Sequence, residues 1–276
     1  MGEPLLEMDK VTIRFGGLTA ASEFSIRLDA QGLTGLIGPN GAGKTTVFNL
    51  ITGVYQATGG RITFAGRDTV GLAPHRLARL GIARTFQNIR LFPAMSVLEN
   101  LIVAQHNMLM RASGYTVLGL FGSKVYRKAE KEAVELARYW LDRIGLTDRA
   151  DSNAGNLAYG AQRRLEIARA MCTRPVMLCL DEPAAGLNPR ESGELTRLLM
   201  SIRDDEGIGV LLIEHHMDVV MGISDHVVVL DYGRKISDGS PQAVRDDPAV
   251  IRAYLGEEEE EDLPPEVARD LGDRGA

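Results

Sequence analysis

The residues Gly38-Pro39-Asn40-Gly41-Ala42-Gly43-Lys44-Thr45 follow the pattern of a glycine, four variable positions, then Gly-Lys-Ser/Thr. Small residues let a backbone fold closely around an oligophosphate and aim successive N–H groups at it. Lys44 stands where its ammonium would reach β- and γ-phosphates, and Thr45 where its hydroxyl would join the shell of Mg2+. A second acidic constellation lies far along the chain, where the apolar run Val176–Leu180 ends in Asp181-Glu182-Pro183. A carboxylate closing a buried strand beside the phosphate-loop strand suits the Mg2+ shell, which is the role expected of Asp181. Glu182, one residue further out, would face the γ-phosphate and accept a proton from attacking water. Nucleotide hydrolysis is the chemistry these residues imply.

Such residues need a scaffold that brings strand ends to helix starts. The apolar run Leu33–Ile37 predicts a strand before the phosphate loop and Thr45–Thr52 a helix after it, whose dipole and open N–H groups would add to the cradle. Leu5–Phe15 and Phe24–Leu28 alternate as half-buried strands do, and with Arg61–Phe64 they predict a small antiparallel sheet. Gly59-Gly60 and Gly66 read as turns around the last of these. Pro74–Leu80 opens as a helix with proline in its first turn, and Ile82–Phe86 reads as a strand ending at Gln87. Ser96 with Glu99 forms a capping-box pattern at the start of another helix. Periodicity fades between Met108 and Ser123, which predicts a loop or loosely helical insert, and returns over Val125–Ile144 as an amphipathic helix. Uninterrupted apolar runs at Val176–Leu180, Gly209–Ile213 and Val227–Leu230 predict buried strands of a parallel sheet, with Glu191–Arg203 a helix between the first two. The expected fold class is α/β with a mainly parallel sheet, a small antiparallel β subdomain and a helical subdomain inserted at about 90–170.

Composition narrows the partners. The chain of 276 residues is 45% hydrophobic and 25% charged, as in ordinary globular proteins. Its net charge of −6 is unevenly placed, because residues 257–276 hold nine acids and two bases, a balance of −7, leaving about +1 for residues 1–256. That is no polyanion-binding surface, so nucleic acid is not an expected partner. The acidic run from Glu257 is expected to be solvated and disordered. Cys172 and Cys179 lack metal-ligand spacing and read as reduced core thiols. Neither a secretion signal nor an apolar run of about 18 residues is visible, so membrane spanning would fall to another chain.

With these motifs assembled, the chain resembles the ATP-binding subunit of an ABC transporter from about residue 5 to 255. Gly38–Thr45 and Val176–Glu182 match the family's two nucleotide motifs. Gln87 matches its Q-loop glutamine, and Gly186-Leu187-Asn188 its D-loop. His215 matches its switch histidine, and Phe15 the aromatic residue that stacks on adenine. Leu157-Ala158-Tyr159-Gly160-Ala161-Gln162 stands where the ABC signature belongs, ahead of the helix Arg163–Arg169. The resemblance implies ATP and Mg2+ as cofactors, with Thr45, Gln87 and Asp181 on the metal. It places Glu182 and His215 in catalysis, and Gly38 to Thr45 with Thr46 around the phosphates. Two copies, or this chain and a paralogue, would face head to tail, each clamping ATP between its own phosphate loop and the other's signature. Here the signature departs from the family's common LSGGQ form, since Ala158 cannot make the hydrogen bond that serine makes to phosphate. Gly160 and the helix starting near Ala161 would still offer backbone amides and a positive dipole end.

In detail the chain is similar to the ATPases of branched-chain amino-acid importers. Arg84-Thr85-Phe86-Gln87-Asn88, LAYGAQRRLEIARA, DEPAAGLNP, IEHHMDVVMGISD and Val250–Gly256 carry that likeness. Urea and short-amide importers and the lipopolysaccharide exporter's ATPase share much of it. The resemblance implies a peripheral subunit on the cytoplasmic face of the inner membrane. Its partners would be integral permease subunits and, through them, a periplasmic or extracellular substrate-binding protein. Phe92–Asn100 and the helix after it would receive a permease helix. A soluble ABC ATPase of translation or repair would need a second cassette or a long coiled-coil insert. A GTPase would need Asn-Lys-x-Asp. The chain has none of these features.

Overall fold

The computed structural model describes residues 3–113, 124–215 and 217–261. Three strands come first, β1 (Leu6–Phe15), β2 (Leu18–Leu28) and β3 (Gly32–Ile37). Helix α1 (Lys44–Ile51) starts on the phosphate loop, and β4 (Gly59–Phe64) and β5 (Arg67–Asp68) follow. After α2 (Pro74–Leu80) and β6 (Ile82–Arg84) come the helices α3 (Val97–Val103), α4 (His106–Ala112), α5 (Lys124–Arg143) and α6 (Tyr159–Met171). Alternation then resumes with β7 (Met177–Asp181), α7 (Pro189–Asp205), β8 (Gly209–Ile213), α8 (Met217–Ile223) and β9 (His226–Asp231). The described chain ends in β10 (Arg234–Gly239), α9 (Pro241–Arg245) and α10 (Pro248–Glu261).

Two units share these elements. The first comprises residues 1–28, 33–71 and 213–276, and the second residues 29–32 and 72–212. In the first, an antiparallel sheet runs in the order β2-β1-β4-β5, while β9 pairs in parallel with β3 and antiparallel with β10. Its core is largely apolar, with Leu36, Ile37, Val47, Phe48 and Val227 to Leu230 all without exposed surface. β2 begins at Leu18 rather than at the expected Phe24, because bulges hide its alternation. The β1–β2 register slips between Met8 and Val11 and again on either side of Ile13, and Lys10 and Glu23 hold φ of 47° and 49°. An extra residue in one strand breaks the two-residue period on which the sequence reading rests. Gly59-Gly60, read as a turn, lies within β4, where Gly59 pairs with Thr12 of β1.

In the second unit β6 and β7 pair in parallel, and residues Met177 to Leu180 have at most 1% exposure, as a doubly covered strand requires. Between β6 and β7 the described regular elements are helices. Ala133 and Ala137 leave room for close approach on the buried face of α5, where Trp140 packs at 1% exposure. Val125, expected on that face, is 66% exposed at the first turn. The Ser96–Glu99 capping box of α3 is formed in both directions. Helix α4 takes in residues 108–112 of the stretch expected to be a loop or loosely helical insert, while 114–123 lie outside the described residues. At the other end, α10 carries helix through Glu261 into the acidic run expected to be disordered. Once nucleated at Pro248, each further residue adds a hydrogen bond at little cost. Residues beyond 261 lie outside the described part of the chain.

Candidate functional site

In the first unit the phosphate loop is a tight turn held by its surroundings. Gly38 takes φ 150°, and a Cβ there would lie 2.1 Å from the carbonyl O of Leu230. Gly43, the N-cap of α1, takes φ 100°, with the carbonyl O of Ala20 2.9 Å from a would-be Cβ. Only glycine fits either place. The Gly233 N–H donates to the Ala42 carbonyl (2.8 Å), tying the loop to the β9–β10 turn. Lys44 is 5% exposed, and its Nζ donates to the carbonyls of Gly38 (2.5 Å) and Pro39 (2.8 Å). No side chain caps the N-terminus of α1. A buried ammonium, an uncapped helix start and a tight glycine turn together make an anion cradle. Asn40, Gly41 and Thr45 are exposed on it, Thr46 is half-buried, and Pro39 and Ala42 are buried.

The first unit also holds Phe15, 45% exposed, whose ring meets Tyr55 edge-on at 5.1 Å. Tyr55 follows α1 and is fixed by its N–H to the Asn49 carbonyl (3.0 Å). The sequence reading missed it, since a lone tyrosine after a helix carries no pattern. His215 is exposed just beyond β8.

The second unit brings together Gln87 and Glu182. The Gln87 Nε2 donates to Glu182 Oε2 (2.9 Å). Glu182 holds φ 47°, a conformation that an L side chain adopts only under constraint and that concentrates at functional sites. Asp181 ends β7 at 6% exposure. Arg84 is its charge partner, unnoticed in the sequence. Burial lowers the guanidinium's pKa, and the Asp181 carboxylate pushes it back up. The signature segment lies in this unit too. Ala158 is the N-cap of α6 and has no side-chain hydrogen bond to offer, while Gln162 Nε2 donates to the Leu157 carbonyl (2.8 Å). Gly160 is buried, and a Cβ there would meet the Glu191 carboxyl at 2.7 Å. That carboxyl is not free to retreat, because it accepts from the Asn188 N–H (3.1 Å) in the capping box of α7. Ala161 is half-buried and Tyr159 is 44% exposed. The site residues thus divide between the units, with phosphate loop, Phe15 and His215 in one and Gln87, Asp181, Glu182 and signature in the other. Cys172 and Cys179 stand apart from both sets, since burial pushes each thiol up to about 12 and leaves it inert.

Residues 21–185 match the ABC transporter family, and residues 234–260 match the branched-chain amino acid ATP-binding cassette transporter family. The chain belongs to the ABC transporter family. The Pseudomonas aeruginosa high-affinity branched-chain amino acid transport ATP-binding protein BraF is 51% identical over 93% of this cassette and 100% of its own length. The Escherichia coli K12 protein LivG, of the same description, is 50% identical over the same shares. Among solved structures, the ADP conformation of MJ1267, an ATP-binding cassette of an ABC transporter, superposes with a TM-score of 0.78 at 34% identity, over 92% of this chain and all of that one. The cbiO1 protein of Clostridium perfringens, part of the cbiONQ transporter complex, gives a TM-score of 0.76 at 25% identity, over 98% of this chain and all of that one. This cassette is an ATPase coupled to transport.

Proposed function

We propose that this cassette hydrolyses ATP to drive import of branched-chain amino acids through separate permease subunits. The observation that carries the reading is the 50–51% identity to BraF and LivG across their whole length, joined by the separate match at 234–260. These matches do not favour urea or amide import or lipopolysaccharide export. The cassette sits peripherally on the cytoplasmic face of the membrane, pairs with a second ATPase subunit, and receives substrate from a binding protein through the permease.

In this reading Lys44 leaves the loop carbonyls to hold the β- and γ-phosphates, and the backbone from Gly38 to Thr46 surrounds them. Phe15, braced by Tyr55, stacks on the adenine. Glu182 takes a proton as water attacks the γ-phosphorus and ADP leaves, and His215 donates a hydrogen bond to the γ-phosphate. The hydroxyl of Thr45, the amide oxygen of Gln87 and the carboxylate of Asp181 are hard oxygen donors of the kind that suit Mg2+. Mg2+ neutralises charge developing on the transferred phosphate when bound. Leu157 to Gln162 of the opposite subunit closes over the nucleotide, so binding joins the dimer and hydrolysis parts it.

The test is uptake of labelled leucine, isoleucine and valine in cells lacking this chain. The wild-type chain is expected to restore uptake, and Glu182→Gln is expected to restore none while still binding ATP. Unchanged leucine uptake in the deletion strain would refute the substrate. Normal hydrolysis by the variant would refute Glu182 as base.

A further inference from the structure

A buried ion pair on α6 has no part in the site described above. Arg163 has no exposed surface and Glu166 is 2% exposed. Positions 159, 163 and 166 are spaced by four and three residues, so all three lie on one face of α6. From that face Arg163 Nη1 donates to the Phe86 carbonyl (2.8 Å) and to Glu166 Oε2 (2.9 Å). Its Nη2 donates to the Gln87 carbonyl (2.6 Å) and to the Tyr159 hydroxyl (3.2 Å). Glu166 Oε1 accepts from the Arg90 N–H (3.0 Å). Three backbone groups of one loop therefore end on a single pair of side chains. The β6–β7 pairing stops at Arg84, with the Thr85 N–H still reaching the Cys179 carbonyl (3.0 Å). Beyond it the pair replaces the sheet as the loop's partner. The loop delivers Gln87, whose amide meets Glu182 at 2.9 Å.

Such a pair is costly to bury, and packed apolar side chains would fill the space without desolvation. Burial pushes the Glu166 carboxyl up, and the Arg90 N–H, Arg163 and Arg169 all work against that. What apolar side chains cannot do is hold two successive carbonyls. A planar guanidinium can, and from the same fork it also reaches the Glu166 carboxylate and the Tyr159 hydroxyl, four acceptors that a lysine ammonium with three donors cannot all meet. We propose that Arg163, held by Glu166, is a positioning residue of the ATPase. It fixes the backbone at Gln87 so that the amide meets Glu182, and through Tyr159 it ties that geometry to the first turn of the signature helix. A load on the signature then reaches the hydrolytic carboxylate through four residues in series, from the Tyr159 hydroxyl to the Arg163 guanidinium, the Gln87 backbone and amide, and Glu182. This inference rests on the reading of Glu182 as the base.

The test uses the full chain carrying Arg163→Met with Glu166→Leu, which removes both charges together and strands neither, and separately Arg163→Lys. Hydrogen exchange read by mass spectrometry over residues 84–92 is expected to quicken at least about tenfold in the double variant, with peptides of β3 and α1 unchanged. The rate constant for MgATP hydrolysis is expected to fall by about ten- to a hundredfold, with ATP affinity in the absence of Mg2+ unchanged. Lysine is expected not to rescue either readout, and it supplies both measurements should the double variant fail to fold. Loop exchange at the wild-type rate, or faster exchange with undiminished turnover, would overturn the proposal. Wild-type hydrolysis by Glu182→Gln would instead discard the base assignment, and the exchange rates alone would still show whether the pair holds the loop.

Discussion

Lys44 holds the loop with the ammonium that, in the proposed function, also holds the ligand. Its bonds to the Gly38 and Pro39 carbonyls keep a buried charge satisfied, and the same Nζ is the group a polyphosphate would recruit. Lys44→Ala removes two charge-assisted bonds of about 1.5–3 kcal/mol each, so ATP affinity is expected to fall at least about a hundredfold, as calorimetry would show. Two loop carbonyls also lose their donor, which costs folding about 1–3 kcal/mol, so the melting temperature should drop as well. A variant that binds ATP normally would remove the loop from the site. At this scale the sequence discloses residue types but not who meets whom. Gln87 and Glu182 are 95 positions apart, and no local pattern announces their contact. Arg163 is harder still to foresee. An arginine in a charged helix reads as a solvated side chain, and here two of its four partners are backbone carbonyls, which have no letter in the sequence.

Elements carry their own signals when those signals are local. The Ser96 side chain accepts from the Glu99 N–H (3.1 Å) and the Glu99 carboxyl accepts from the Ser96 N–H (2.8 Å), as the spacing of the two residues foretells. Ser96→Ala should cost about 1 kcal/mol, seen as a lower urea midpoint with unchanged ATP affinity. Strand β10 was illegible by contrast, because its residues Arg-Lys-Ile-Ser-Asp-Gly are half-exposed on a sheet edge and lack alternation. Its Asp238 instead works through charge. Burial opposes the carboxylate, but hydrogen bonds from Lys235 and His226 outweigh that and hold its pKa below the ordinary carboxylate value. A carboxyl with a lower pKa folded than unfolded stabilises above its unfolded value and loses that stabilisation as pH falls through the folded one. Asp238→Asn should therefore be less stable than wild type near pH 7, with the gap closing as pH falls below the ordinary carboxylate value. A third of the side chain is exposed, so solvent screening keeps the effect small. Equal urea midpoints for the two proteins at neutral pH would show that the cluster contributes nothing.

For the molecule as a whole, fold class followed from the order of the motifs, whereas the division into units did not. The sequence suggests a helical insert at 90–170; the compact units are a different division, the second spanning 72–212 and also taking in 29–32, a tie between distant segments that no composition shift marks. Assembly raises a question that one substitution can decide. Ala158 is the N-cap of α6 and offers no side-chain acceptor. In the proposed head-to-tail dimer it is also the residue facing the opposite subunit's phosphate. A serine hydroxyl there has two possible uses. Turned inward it caps its own helix, worth about 1 kcal/mol to the lone subunit. Turned outward it donates to phosphate, a charged bond of about 1.5 kcal/mol or more, made twice in a symmetric dimer. The second use predicts that Ala158→Ser, in a Glu182→Gln background that holds ATP uncleaved, tightens ATP-dependent dimerisation by about a hundredfold, measured by sedimentation. The first predicts a higher melting temperature with the dimerisation constant unchanged, and that outcome would mean the signature segment does not meet the partner's nucleotide at this position.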